Sequence, residues 1–284
     1  MQINAASDRI LEHPCFTKGA VRHFGRVHLP VALNCNIKCR YCTRKHDCAN
    51  ESRPGVTSRL LTPLEALDRL SRVVDKDPRI RVAGIAGPGE PLANLETLET
   101  LRLLHERFPR LIKCISTNGL ALPEYVSLLK ALGVQTVTVT VNAVDPEVGA
   151  KVYDYVSFRG KVLRGANAAS LLWSRQAAGI IEAVRLGMRV KVNSVYIPGV
   201  NDRHLPLIAR TIANLGVHLM NISPLIPLSG FAHLAPPSPK ELAFTRTVCR
   251  QYVPQMDWCR QCRADAVGLL SPHLGQSTCS LTGV

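Results

Sequence analysis

Aromatic side chains are scarce in this 284-residue chain, at 5 % of the total. Stacking platforms for single-stranded nucleic acid are correspondingly few. Long apolar runs are lacking too: none approaches the ~20 residues that span a bilayer. Residues Met1 to Glu12 are polar and carry acids, so they do not read as a secretory signal. A cytoplasmic protein with no membrane segment is expected. There is no long basic run, although formal net charge is +14, from 35 Lys and Arg against 21 Asp and Glu. With few aromatics and no basic stripe, that charge is weak support for nucleic-acid binding and suits an anionic partner protein or thiolate-bound clusters equally well. Internal repeats and low-complexity domains are also missing.

Cysteine, by contrast, is plentiful. Ten are present, four of them between Cys35 and Cys48, and another pair is Cys259 and Cys262. In a reducing compartment structural disulfides are disfavoured, so metal or cluster ligation is the leading explanation. A single cysteine is still often only a small buried hydrophobe, and Cys249, within a helical stretch, reads that way. Cys279 is left unassigned.

Hydrophobic residues make up 46 % and charged residues 20 %, enough for a real core. Apolar, β-branched segments recur at Val27–Leu33, Val82–Ala86, Ile112–Ser116, Val134–Val141, Val190–Ile197 and Leu219–Leu225. Helical periodicity separates them, over about 63–76, 94–107, 122–132, 170–187, 202–215 and 239–252. Six strand–helix alternations predict an α/β fold with a parallel sheet. Thr62-Pro63-Leu64-Glu65 is a capping box with proline at the first helical position. Each expected strand ends in small or polar residues, and in parallel α/β folds chemistry collects at the carboxyl ends of strands.

Cys35-Asn36-Ile37-Lys38-Cys39-Arg40-Tyr41-Cys42 places three thiolates within eight residues on an expected loop after the first strand. Three cysteines hold three irons of a cubane [4Fe–4S] cluster and leave the fourth open to chelate a ligand. A zinc loop is the competing reading, but zinc favours four ligands and CxxC pairs. The CxxxCxxC spacing, with Tyr41 before the last cysteine, resembles the radical S-adenosylmethionine (SAM) superfamily. That resemblance implies a partial (β/α)6 TIM-like barrel with a SAM-binding [4Fe–4S] cluster at its mouth, and here N- and C-terminal extensions carrying further cluster ligands. Gly87-Pro88-Gly89-Glu90-Pro91 is similar to the superfamily's GGEP motif for the SAM amino group, with Pro88 in place of a glycine, so Gly89 and Glu90 carry the match. Ser116, Asn118, Thr140, Asn142 and Asn193 fall at strand ends that the superfamily uses for SAM carboxylate and ribose, and Ile197 lies in a segment resembling its adenine-contacting strand. Each of these polar residues equally suits a helix or turn cap.

The strings His13-Pro14-Cys15, Gly25–Pro30, Asp47–Val56, Lys191–Val195, Pro198–Asp202 and Cys259–Leu270 narrow the likeness to the radical SAM maturases of the nitrogenase cofactor. This resemblance implies an inorganic substrate. Two further [4Fe–4S] clusters are fused, with an added sulfur and a carbide from a SAM methyl group; a second SAM supplies the radical that abstracts hydrogen from that methyl. It also implies ligands: Cys15, Cys48 and Cys114 around one substrate cluster, and His28, Cys259 and Cys262 around the other, with His23 the alternative nitrogen ligand. Cluster-donor and cofactor-carrier proteins, and a reductant such as a ferredoxin or flavodoxin, are the implied partners; nucleic acid is not. Some members carry an extra C-terminal cofactor-binding domain; the stand-alone form without it is expected here. Glu65 and Arg53 suit proton transfer or substrate anchoring, and suit a helix cap and a surface charge as well.

The expected division is an N-terminal extension over 1–25, the barrel over 26–228, a helix and CxxC segment over 229–270, and a loose tail over 271–284. Two other functions compete. One is a radical SAM maturase with a single auxiliary cluster, acting on a peptide or small molecule. The other is a zinc-stabilised nucleic-acid-binding protein, which predicts bound zinc and steep salt dependence.

Overall fold

The computed structural model describes residues 9–43, 48 and 59–270. Arg53, Cys279 and the expected tail lie outside them. In chain order the strands are β1 (Gly25–His28), β2 (Ile37–Cys39), β3 (Ile80–Ile85), β4 (Ile112–Thr117), β5 (Val134–Thr140), β6 (Tyr153–Phe158), β7 (Lys161–Leu163), β8 (Arg189–Tyr196), β9 (Leu219–Pro224) and β10 (Val267–Leu269). The helices are α1 (Pro63–Lys76), α2 (Leu95–Arg107), α3 (Leu122–Ala131), α4 (Pro146–Val152), α5 (Gly165–Arg185), α6 (Leu205–Asn214) and α7 (Pro239–Cys249).

One curled sheet has the order β10-β1-β3-β4-β5-β8-β9. Strands β1, β3, β4, β5, β8 and β9 pair in parallel, and β10 closes onto β1 antiparallel. This is the expected six-strand half-barrel. Its two faces are set by alternation along each strand. In β5, Val137 and Val139 join the core packed beneath the helices, while Thr136, Thr138 and Thr140 are buried on the other face. Leu70, Ile80, Leu101, Leu104 and Ile115, all fully buried, fill the same outer layer. Each is worth about 1.5–3 kcal/mol of burial. The inner face is therefore polar because the outer face takes the hydrocarbon.

Helix α1 starts where its capping box requires. The Thr62 side chain accepts the Glu65 N–H at 3.3 Å, and the Glu65 carboxylate accepts the Thr62 N–H at 2.8 Å. Helix α7 repeats the device at Ser238 and Glu241. No described helix is long and apolar enough to cross a membrane.

Three local expectations are corrected. The first strand, expected over Val27–Leu33, is a strand only over Gly25–His28. Pro30 has no N–H to give the ladder, and beyond it Ala32 makes only an isolated bridge to Pro88. The cysteine segment is not all loop: Ile37–Cys39 forms β2 and pairs antiparallel with β6. Between β5 and α5 the chain adds α4 and the hairpin β6–β7, where no element was expected, and α5 begins at Gly165 rather than near residue 170. The hairpin turns on Arg159 and Gly160, both at positive φ (49° and 75°), as a two-residue turn of this kind demands. Its three-stranded sheet, β2-β6-β7, packs Ile37, Cys39, Tyr41, Tyr153 and Val156 into a second small core.

Candidate active site

Cys35, Cys39, Cys42 and Cys48 line one cavity together with Gly89, Glu90, Ser116, Thr117, Asn118 and Thr140. Its empty space, with the open solvent at the mouth included, is about 690 Å³. Its walls come from the carboxyl ends of β4 and β5 and from the loops that follow β1 and β3.

Those two loops lie back to back. Gly89 donates its N–H to Ala32 O at 2.6 Å, and Glu90 N–H reaches Asn34 O at 2.8 Å. A Cβ on Gly89 would stand 2.3 Å from Asn34 O and 2.5 Å from Leu33 O, so glycine is needed for the approach. Asn94, which sequence reasoning missed, clamps the same junction: its amide nitrogen donates to Asn34 O (3.0 Å) and Glu90 O (2.7 Å), and its oxygen accepts Asn34 N–H (3.0 Å). Glu90 is 3 % exposed. Its carboxylate accepts from Leu92 N (3.0 Å), Thr117 Oγ1 (2.5 Å) and Asn118 N (2.6 Å), fixing the loop to the end of β4. Gln176, also missed, donates from α5 to Asn118 O and Thr140 O at 2.8 Å each. It was hidden because a buried glutamine in a helix carries no distinguishing spacing.

Not every residue expected at the SAM site lines the cavity. Ser116, Asn118 and Thr140 do; Asn142, Asn193 and Ile197 lie outside its walls. Asn142 braces the site from behind, donating to Tyr41 OH at 2.7 Å and accepting Val195 N–H at 2.8 Å. Asn201 ties Ile197, Val195 and Asn142 backbones together there.

A second group lies deeper on the same inner face. Cys15 is within electrostatic reach of Lys191, Cys262, Arg26 and Cys114. His28 and Cys114 flank Gly84, where a Cβ would meet His28 Cδ2 at 3.3 Å and Cys114 Cβ at 3.8 Å. The segments around Pro14–Lys18 and Asp257–Trp258 meet beside this chamber. Trp258 Nε1 donates to Pro14 O at 2.8 Å, and Lys18 pairs with Asp257 at 2.9 Å. Arg26 is 5 % exposed and donates from Nη2 to Cys262 Sγ at 2.6 Å. Cys259 lies two residues before Gln261, whose N–H points to its sulfur at 3.5 Å. Burial pushes the Cys15 thiol up to about 12, opposed by Lys191 and Arg26, so ionising it calls for a metal's help.

His28 Nδ1 lies 3.0 Å from Arg263 O. A carbonyl only accepts, so Nδ1 carries the proton and Nε2 keeps its lone pair, the tautomer of a metal-binding histidine. Burial and Arg26 bring its pKa down to about 4, leaving the ring neutral. His23 is exposed, just after the 3-10 turn Lys18–Arg22. Cys48, grouped by the family resemblance with Cys15 and Cys114, lines the triad's cavity. Cys249 is fully buried in the outer core, and Glu65 caps α1.

The donor set fits iron–sulfur ligation. Soft thiolates gather on a concave wall beside polar groups suited to a small organic ligand. Among the described residues no three His, Cys, Asp or Glu converge as ligands of a single metal ion do. A cubane, bound through one thiolate per iron corner, asks for sulfurs spread around a volume instead.

Comparison with known proteins decides the family. The radical SAM superfamily model matches residues 29–212. The FeMo cofactor biosynthesis protein NifB of Methanocaldococcus jannaschii is 46 % identical over 261 residues, covering 91 % of this chain and 86 % of that protein. The chain belongs to the NifB family. NifB of Chlorobaculum tepidum is 44 % identical over 264 residues, and NifB of Frankia alni 44 % over 280. The chain spans 62 % and 55 % of the length of those two relatives. Among solved structures, the radical SAM methyltransferase TsrM of Kitasatospora setae matches with a TM-score of 0.51 at 14 % identity, covering 73 % of this chain and 38 % of that one. Methylornithine synthase (PylB) matches at 0.50 and 16 %, covering 80 % and 60 %. Both likenesses are of fold, and place this NifB-family chain in the radical SAM architecture.

Proposed function

We propose that this chain is a radical SAM maturase that builds the iron–sulfur core precursor of the nitrogenase cofactor from two [4Fe–4S] clusters, a sulfur and a SAM-derived carbide. The observation that carries the reading is the second thiol chamber. Cys15, Cys114 and Cys262 gather with His28 on the inner face that also bears the Cys35/Cys39/Cys42 cavity, and a SAM-cleaving site alone has no use for them. Relatives of the NifB family are named for FeMo cofactor biosynthesis, which supports the reading at that coarser level.

When bound at Cys35, Cys39 and Cys42, a [4Fe–4S] cluster with SAM on its open iron supplies reductive cleavage of the sulfonium and the methyl group. The residues around it bind, orient and exclude water. Glu90, held by Leu92, Thr117 and Asn118, presents a fixed carboxylate edge to the SAM amino group. Ser116, Asn118 and Thr140 offer hydroxyl and amide groups from strand ends. Cys15, Cys114 and Cys262, with His28 and Cys259, receive the substrate clusters, and their incomplete ligation suits a cargo that must leave. Under this reading the partners are cluster-donor and cofactor-carrier proteins and a ferredoxin- or flavodoxin-like reductant. Reversing exposed Lys and Arg charges then weakens product transfer and its salt sensitivity.

Iron and sulfide content with EPR after anaerobic reconstitution tests the proposal. About twelve irons per chain, falling to about eight in Cys35→Ala/Cys39→Ala/Cys42→Ala, is expected for three cubanes. A wild type that saturates at about eight irons or fewer contradicts it and favours a maturase with at most one auxiliary cluster.

A further inference from the structure

His13 has no part in the ligand set above, yet it is 1 % exposed, two residues from Cys15 and within electrostatic reach of Lys191, His28 and Arg26. Its Nδ1 accepts the backbone N–H of Cys15 at 3.1 Å. An amide only donates, so Nδ1 holds the lone pair, and the single proton of the neutral ring is on Nε2. That Nε2–H is buried with no hydrogen-bond partner in the protein. Arg26 Nε, in the same group, is a second buried donor without one. Native interiors rarely leave such donors unmet unless a ligand takes them.

The ligand's chemistry follows from what surrounds it. Lys191 and Arg26 are cationic and buried, and the nearby protein sulfurs are Cys15, Cys114 and Cys262. Donors aimed into a cationic, thiol-lined space select an anion rich in soft acceptors. The sulfides of an iron–sulfur cluster have that character. His28 shows the complementary arrangement: its proton is on Nδ1, held by Arg263 O, so its Nε2 lone pair is available to iron.

We propose that His13 is a substrate-binding residue whose Nε2–H donates to a sulfur of the cluster received beside Cys15, with Arg26 Nε–H serving the same ligand. The proposal rests on the reading that this chamber receives clusters. The two imidazoles then divide the work, His28 to iron and His13 to sulfur.

Two substitutions separate this role from support of the local turn. In His13→Asn the side-chain oxygen takes the place of Nδ1 and still accepts the Cys15 N–H, but the distal donor is gone. In His13→Gln the side-chain N–H reaches the place of Nε2, and the Cys15 bond is lost. Both are reconstituted anaerobically, and loss of auxiliary-cluster iron to an iron(II) chelator is timed against wild type. Midpoint potentials and thermal unfolding are measured alongside. For His13→Asn, iron release about tenfold or more faster is expected, the scale of one hydrogen bond to a charged acceptor, with a more negative potential. His13→Gln is expected to stay near wild type in both. The reverse pattern assigns His13 to bracing the turn and overturns the proposal; equal loss in both variants, or no change in either, overturns it as well. A wild type that takes up only the triad's iron refutes the cluster-receiving reading itself, a result separable from all of these.

Discussion

The triad cavity and the deeper chamber share one sheet face, yet they are built differently. The cavity takes its ligands from one eight-residue run and its remaining walls from strand ends, so its parts are near one another in sequence or repeat with the βα rhythm. The chamber draws Cys15 from one end of the chain, Cys262 from the other, and Arg26, His28, Cys114 and Lys191 from three strands between. Beside it Trp258 reaches Pro14 across 244 residues. Local motifs suffice to hold a resident cofactor. On the function proposed above, the second site receives a bulky inorganic substrate that enters and leaves, and it is assembled from segments far apart in the chain.

The largest expected effect breaks the two regions apart. Replacing Cys35, Cys39 and Cys42 with alanine abolishes SAM cleavage, read as 5′-deoxyadenosine formed under dithionite, while iron in the chamber persists; loss of all iron instead would show that the two regions are one unit. Next comes Glu90→Gln. Both carboxylate oxygens accept backbone or hydroxyl hydrogens, and an amide nitrogen facing one of them is repulsive. SAM affinity by equilibrium dialysis is expected to fall about tenfold or more, with chamber iron unchanged. Gly89→Ala drives a methyl into two backbone carbonyls. Overpacking of this kind costs about 1–3 kcal/mol, read as a lower thermal midpoint together with weaker SAM binding. The smallest effect belongs to Cys249→Ala, in the outer core. It should cost about 1 kcal/mol in denaturant melts and leave both iron pools intact, marking this sulfur as a hydrophobe only.

One further measurement sharpens the contrast without any mutation. Imidazole nitrogen shifts by NMR should report the proton on Nε2 in His13 and on Nδ1 in His28. The same tautomer in both would remove the distinction drawn between them.

Much of the fold was legible because burial imposes a period. The six parallel strands and the helices other than α4 follow from apolar spacing, and the α1 start was read to the residue from Thr62-Pro63-Leu64-Glu65. Strand β1 was overrun because Pro30 sits within an otherwise apolar stretch. The hairpin β6–β7 was missed because its first strand, Tyr-Asp-Tyr-Val-Ser-Phe, lacks clean alternation. It is a strand because β2 offers an edge to pair with, and no local signal announces that partner.

For the site, the sequence determined that three thiolates lie within one eight-residue run, that Gly89 and Glu90 follow β3, and that alternation in Thr-Val-Thr-Val-Thr must give the sheet a polar face. Those are consequences of covalent spacing and strand geometry, which act over a few residues. Tertiary structure alone decided which strand-end residues face the cavity and which brace it, so that Thr140 lines the wall while Asn142 holds Tyr41. It also decided the histidines' roles. A ring's proton goes to the nitrogen whose partner can accept it, and those partners, the Arg263 carbonyl for His28 and the Cys15 amide for His13, are placed only once the chain has folded.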